Sequence, residues 1–246
     1  MNKIALVTGA AGGVGRAVVA RLADQGWQLI VTSRRAEHLT AAFGDRHLQV
    51  VADCSTVAGA RQILQAAKDH QMLPTALAHC IGNIRLGAMH RMSEADFNDC
   101  LNANLVSAFH MLSAFVGALR EARSPGAAVL VSSAAARVGT PNHEAVAAAK
   151  AGLEGLVRGA AATYAANGIR INAVAPGLMD TPASAAVIAS PAAREGAARQ
   201  YPLPGIGSPD ELAELMLWLL SDSAVRVTGQ IWSLDGGFSS IRPLVK

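Results

Sequence analysis

The sequence predicts an α/β fold built on a single doubly wound parallel sheet of about seven strands, and three observations predict it. Short apolar runs alternate with longer helix-period segments along all 246 residues. Most of those runs are apolar on both alternating sets of positions, the pattern of parallel strands covered on both faces. The first run leads directly into a glycine-rich turn followed by a helix pattern, the entry to a nucleotide-binding βαβ unit. The predicted strands are Ile4–Thr8, Gln28–Thr32, Leu48–Val51, Ala76–His79, Ala128–Val131, Ile169–Val174 and Ile231–Leu234. Helical periodicity fills 14–25, 56–70, 94–122, 143–166 and 208–221. Ser93 and Ser208 are the clearest helix starts: each is a capping serine followed by acidic residues in the first turn, and Pro209 sits at the first helical position. No linker, repeat or low-complexity tract divides the chain, so residues 1–246 read as one dinucleotide-binding domain. Residues 178–206 have the weakest pattern and are expected to form a lid over the substrate.

Composition narrows the function classes. With 51% apolar and 16% charged residues, disorder is excluded. The net charge of +3 comes with no basic run beyond Arg34-Arg35, which argues against a nucleic-acid partner. Cys54, Cys80 and Cys100 are scattered, show no metal-ligand spacing, and suit reduced thiols in a cytoplasmic protein. The apolar start Ile4–Val7 is too short for a signal peptide, and no uncharged apolar stretch of about 18 residues signals a membrane span. Aromatic residues make up only 4%, and the two tyrosines are Tyr164 and Tyr201.

The first strand runs into Thr8-Gly9-Ala10-Ala11-Gly12-Gly13-Val14-Gly15-Arg16. Glycines at Gly9, Gly13 and Gly15, with Val14 between the last two, let a backbone approach a pyrophosphate, and the helix N-terminus that follows favours its charge. An ordinary tight turn would use glycine too; the position between first strand and first helix favours the nucleotide. The second strand ends Ser33-Arg34-Arg35, where a binder of NAD(H) would place an acid for the ribose 2′-hydroxyl. Guanidinium groups instead match a 2′-phosphate, so NADP(H) is favoured over NAD(H), unless the two arginines are simply solvated. Asp53, beside Cys54, ends the third strand, where a carboxylate can accept from an adenine or cap the following helix.

From these blocks and those that follow them in order, the chain resembles the short-chain dehydrogenase/reductase family along nearly its full length. Thr8-Gly9-(x)3-Gly13-x-Gly15 is similar to that family's cofactor turn, Asn104 to its helix asparagine, Val131-Ser132-Ser133 to the end of its catalytic-serine strand, and Lys150 to its lysine. Ile169 to Gly177, with Pro176, and then Thr181, resemble the segment that meets the nicotinamide. Thr228-Gly229-Gln230 and Asp235-Gly236-Gly237 resemble the last strand. After the fourth strand the family's asparagine-alanine-glycine block reads His79-Cys80-Ile81-Gly82, with Gly82 kept so that the backbone can pass close to the cofactor ribose. The resemblance implies a homodimer or homotetramer joined through the helices at 94–122 and 143–166.

One departure is large. The family places a tyrosine four residues before the lysine; here that position is Val146, in Asn142-His143-Glu144-Ala145-Val146. A phenol beside a lysine cation normally protonates the alkoxide formed by hydride transfer, and losing a general acid costs about 10²–10⁴ in rate. Lys150 keeps a second implied role, holding the nicotinamide ribose. Ser133 is left to hydrogen-bond a substrate oxygen, or it and Asn104 satisfy backbone groups only. His143, three positions before Val146, is the candidate replacement donor if it is already helical; otherwise it is an exposed histidine at a helix start. Tyr201 in the expected lid is a remoter candidate. The function expected is an NADPH-dependent carbonyl or ketoacyl reductase with a non-standard proton donor, acting on a small-molecule or acyl substrate. The alternatives are an impaired subunit partnering an active paralogue, and a non-redox reaction in the same pocket.

Overall fold

In the computed structural model, which describes residues 3–242, the seven predicted strands form one fully parallel sheet. The ends of the expected 1–246 domain, residues 1–2 and 243–246, lie outside the described residues. The strands are β1 (Ile4–Thr8), β2 (Gln28–Ser33), β3 (Leu48–Val51), β4 (Ala76–His79), β5 (Gly126–Val131), β6 (Ile169–Pro176) and β7 (Ile231–Leu234). Their spatial order is β3-β2-β1-β4-β5-β6-β7, so the winding reverses between β1 and β4. In such sheets a crevice opens at that reversal, beyond the carboxyl ends of the strands.

The helices are α1 (Gly13–Asp24), α2 (Ala36–Phe43), α3 (Val57–Asp69), α4 (Glu94–Leu101), α5 (Ser107–Glu121), α6 (Glu144–Tyr164), α7 (Pro191–Ala198) and α8 (Pro209–Leu220). On one face, Leu6, Leu77 and Leu130 of the sheet pack with Met111 and Phe115 of α5 and Leu153 and Val157 of α6. On the other, Val7, Val31 and Val129 pack with Val18 and Leu22 of α1 and Leu212 and Met216 of α8. Period-two burial on both faces is why the strands read as continuous apolar runs. Ser93 and Ser208 cap α4 and α8 as expected, the latter with a reciprocal bond from Glu211.

Several expectations are corrected. The sequence reading had no helix at 36–43. The span 94–122 is not one regular helix, because Asn102–Val106 forms a π turn between α4 and α5. By length and apolarity the run Glu94–Glu121 also meets the composition of a membrane span; its Met111, Leu112, Phe115 and Leu119 are buried against the sheet. Residues 178–206 are not pattern-free: they contain a 3-10 turn at Pro182–Ser184 and α7.

Candidate active site

Most of the residues singled out above converge on the crevice. β1 delivers the glycine turn: Gly9 has φ +64°, and a Cβ there would stand 3.0 Å from the Cys80 carbonyl oxygen. A Cβ on Gly15 would lie 2.7 Å from the Ala10 Cα, so the turn closes this tightly only with glycine. Gly12 is the N-cap of α1 and offers no side chain to bond the first amides, which leaves the helix N-terminus open to an anion. Val14 packs against the core and fixes the first turn of α1. Opposite the turn, the Thr181 Cβ and methyl lie 3.0 Å from where a Gly13 Cβ would stand.

At the end of β2, Ser33 Oγ accepts from the Arg35 amide (3.3 Å), and Arg34 and Arg35 are exposed. Neither guanidinium has a carboxylate within 4 Å among the described residues. Asp53 does not cap α3. Thr56 does, accepting from the Gly59 amide, while the Asp53 carboxylate accepts from Ser55 N (2.9 Å) and Ser55 Oγ (2.7 Å). Burial pushes the Asp53 pKa up, but those two bonds and the Arg34 charge outweigh it and hold the carboxyl below its ordinary range. Cys54 is a correction: its side chain is buried in the core with Val50, Ala60 and Ile63, and burial pushes its thiol to about 12.

At the end of β4, His79 is buried, with Nδ1 2.8 Å from Thr8 Oγ1 and Nε2 3.2 Å from Ser107 Oγ. Burial first, and the Lys150 charge second, lower its pKa to about 3, so it is a neutral clasp joining β1, β4 and α5. Gly82 follows. A Cβ there would meet Asn104 Oδ1 at 2.7 Å and Lys150 Nζ at 3.4 Å, so this glycine keeps open a cradle between the two.

Asn104 sits in the π turn, whose extra residue turns its side chain toward the cradle. Its Nδ2 donates to Asn83 O (3.1 Å), Asn83 Oδ1 (2.9 Å) and Cys100 O (2.9 Å), and its Oδ1 is buried without a partner. A buried acceptor left unpaired beside a cradle fits a bound hydroxyl, and a nicotinamide ribose offers one. Asn83 in turn donates to Asp99 (2.8 Å), which Arg85 also holds (2.8 Å). The sequence reading missed these three; polar residues flanking Ile84 straight after a buried strand were the available signal.

Ser133 ends β5. Its Oγ accepts from the Ala135 amide (3.2 Å), capping a short 3-10 turn, so its own proton is left for another acceptor. Lys150 is 5% exposed, and its Nζ donates to the Val131 carbonyl (2.6 Å) two residues before Ser133. Burial lowers its pKa to about 8, offset in part by Cys100 and Cys80. Val146, one turn earlier on α6, is buried with Cys100, Ala145 and Met92. Pro176 and Gly177 close β6, and a Cβ on Gly177 would lie 2.7 Å from the Tyr201 ring.

Two donor candidates fare poorly. His143 is the N-cap of α6 and not helical; its Nδ1 is tied to the Pro141 carbonyl (2.8 Å), so the same-face spacing to Val146 does not hold. Tyr201 is pinned: its hydroxyl accepts from the Leu178 amide (2.7 Å) and its ring packs on Phe238. A further buried group went unread. Glu154 accepts from Ser132 Oγ (3.0 Å) and pairs with Arg137, which reaches Ser233 and the Ile231 carbonyl on β7.

Fold and crevice together define a doubly wound α/β protein with an open crevice at the switch point of its parallel sheet. A sequence model of the family described as Enoyl-(Acyl carrier protein) reductase matches residues 9–239. Cis-4-hydroxycyclohexanecarboxylate dehydrogenase of Sinomonas cyclohexanicum is 34% identical over 254 residues, covering 98% of each chain. The 3-oxoacyl-acyl-carrier-protein reductase FabG of Thermotoga maritima is 32% identical over 245 residues, covering 96% of this chain and 97% of that one. Among solved structures, levodione reductase superposes with a TM-score of 0.90 at 28% identity over 98% of this chain and 99% of that one. The chain belongs to the short-chain dehydrogenase/reductase family, whose matched members here are oxidoreductases.

Proposed function

We propose that this protein is an NADPH-dependent reductase of a neutral carbonyl substrate, ketoacyl or alicyclic, that works without the family's phenol. The observation that carries the cofactor choice is the end of β2: two exposed guanidiniums, free of carboxylate partners within 4 Å among the described residues, stand where NAD(H) binders place an acid. A similar fold, ElxO, was solved with NADP bound, and a FabG reductase is among the relatives. In this reading Gly9, Gly13 and Gly15 admit the pyrophosphate to the α1 N-terminus. Asp53 faces the adenine, and Gly82, Asn104 and Lys150 take the ribose, while Pro176, Gly177 and Thr181 border the nicotinamide. When bound, the reduced nicotinamide supplies the hydride. Ser133, its Oγ lone pair engaged by Ala135, turns its proton to the substrate oxygen.

Residues 178–206 serve as the lid in this proposal. Thr181 already rests on the glycine turn, and Asp180 is bound to Arg194 of α7 at 2.5 Å, which ties the start of the segment to its helix. Self-association through α5 and α6 fits Phe109, 52% exposed on α5, and the open Gly155 and Gly159 on α6. A cytoplasmic setting suits the three free thiols. Val146 also favours a second reading, a catalytically impaired subunit assembled with an active paralogue.

Thermal unfolding with each dinucleotide is the deciding experiment. NADPH at 100 times its Kd should stabilise by about 2.7 kcal/mol, and NADH at the same concentration by much less. Substituting Asp for Arg34 should cut the preference for NADPH by about tenfold or more. Equal stabilisation by both cofactors refutes the NADPH assignment, and stabilisation by neither favours the impaired subunit.

A further inference from the structure

We propose that Lys150 itself is the proton donor to the substrate oxygen, taking over from the absent phenol. The inference rests on the reductase reading above. Val146 has no proton to give. His79 is buried between Thr8 and Ser107 and is held neutral. The Cys80 thiol is pushed up to about 12 by burial, and Cys100 is buried beneath Val146 with its pKa likewise raised. His143 is tied back to Pro141, and the Tyr201 hydroxyl is held at Leu178.

Lys150 remains, and its setting suits the task. Its ammonium makes one hydrogen bond, to Val131 O at 2.6 Å, and has no carboxylate within 4 Å among the described residues. Two of its three N–H groups are uncommitted. That bond places it at the same strand end as Ser133, and it borders the Gly82 cradle together with the unpaired Asn104 Oδ1. Val146 lies four residues earlier on α6, and its side chain brings no titratable group between Lys150 and the crevice. The groups facing the ammonium are His79 from β4, Cys80 just after it and Cys100 from α4; none is anionic near neutral pH. A buried cation without a counter-ion is an acid near neutral pH, and burial brings this one to about 8.

The step balances simply. When bound, the reduced nicotinamide would give up the hydride from its C4–H bond and be oxidised, the carbonyl carbon would gain a C–H bond, and the C=O π electrons would move to oxygen, which takes a proton from Nζ. One C–H and one N–H bond break, one C–H and one O–H bond form, and the neutral amine is reprotonated by a solvent proton, the one proton the reduction consumes.

The test uses the intact protein, NADPH and a panel of cyclic and 3-oxoacyl ketones. kcat/KM should fall as pH rises through about 8. Lys150→Arg keeps a charge that scarcely releases a proton, so at saturating NADPH its kcat should drop about 100-fold or more. Lys150→Ala should regain turnover with added primary amines, faster with amines of lower pKa. An apo measurement stands beside these. Lys150→Met should melt higher than wild type at pH 7, with the gap closing as pH approaches 10.5, where the unfolded lysine is also neutral. Full kcat in Lys150→Arg, a flat profile from about pH 6 to 9, or a lower-melting Lys150→Met overturns the assignment of the donor alone. Failure of wild type to bind NADPH overturns the reductase reading, and the donor assignment falls with it.

Discussion

Val146 and Lys150 stand four residues apart on one face of α6, and the chemistry of the crevice turns on what the first of them lacks. Restoring the phenol should therefore be a gain-of-function change. Val146→Tyr should raise ketone reduction by about tenfold or more, measured as NADPH oxidation, because a phenol beside a cation is a better-placed acid than the cation alone. It should also relieve the dependence on Lys150 as donor without removing its place in the cradle. At this scale the sequence was readable wherever spacing and chemistry coincide: Lys150, Ser133, Asn104 and the glycines all lie in the crevice. His143 was misjudged because Asn142 adopts a left-handed φ of 63° and Pro141 supplies a local acceptor, so the chain enters α6 one residue later than the spacing argument needed. Cys54 was misjudged because the turn after β3 folds its side chain into the core. Glu154 went unread although it continues the series 146, 150, 154 along the buried face, a charged residue where apolar ones are expected.

Elements are joined around the crevice by few, buried, polar contacts, and His79 is the clearest. It clasps β1 through Thr8 and α5 through Ser107, and burial together with the Lys150 charge holds it neutral. Its folded pKa of about 3 lies below the unfolded 6.5, so the unfolded chain binds more protons between those values and stability falls as pH falls through that window. Between pH 7 and 4.5, urea unfolding should show wild type losing about 2–3 kcal/mol more than His79→Asn, whose amide does not titrate. Element recognition succeeded for the long apolar strands and failed in two informative places. In α2 only Leu39 and Phe43 are buried, a single i,i+4 pair in eight residues, too little for periodicity to register. The π turn at Asn102–Val106 inserts one residue into an apolar helix without changing its composition, so 94–122 reads as unbroken although the break is what aims Asn104.

At the scale of the whole molecule, the doubly wound sheet was legible because alternation of strand and helix leaves few other ways to cover both faces. The pairing of α1 with α8 was not legible, since nothing local links residues so far apart. Val18, Val19 and Leu22 of α1 share a core with Leu212, Met216 and Leu220, and Arg21 pairs with Asp210 and Glu214. Removing the chain from residue 209 onward strips that cover. At about 1.5–3 kcal/mol for each large apolar side chain left bare, the loss rivals the whole stability of a typical domain. Such a truncation should be insoluble or proteolysed rather than a smaller working enzyme, as limited proteolysis of the expressed fragment would show. The same contact sets a timetable for biosynthesis. The helix that follows the glycine turn leaves the ribosome early, and the helix that shields its apolar side emerges much later. A nascent chain must therefore carry an uncovered greasy surface through most of its translation, which makes this protein a natural client for chaperones that hold incomplete chains.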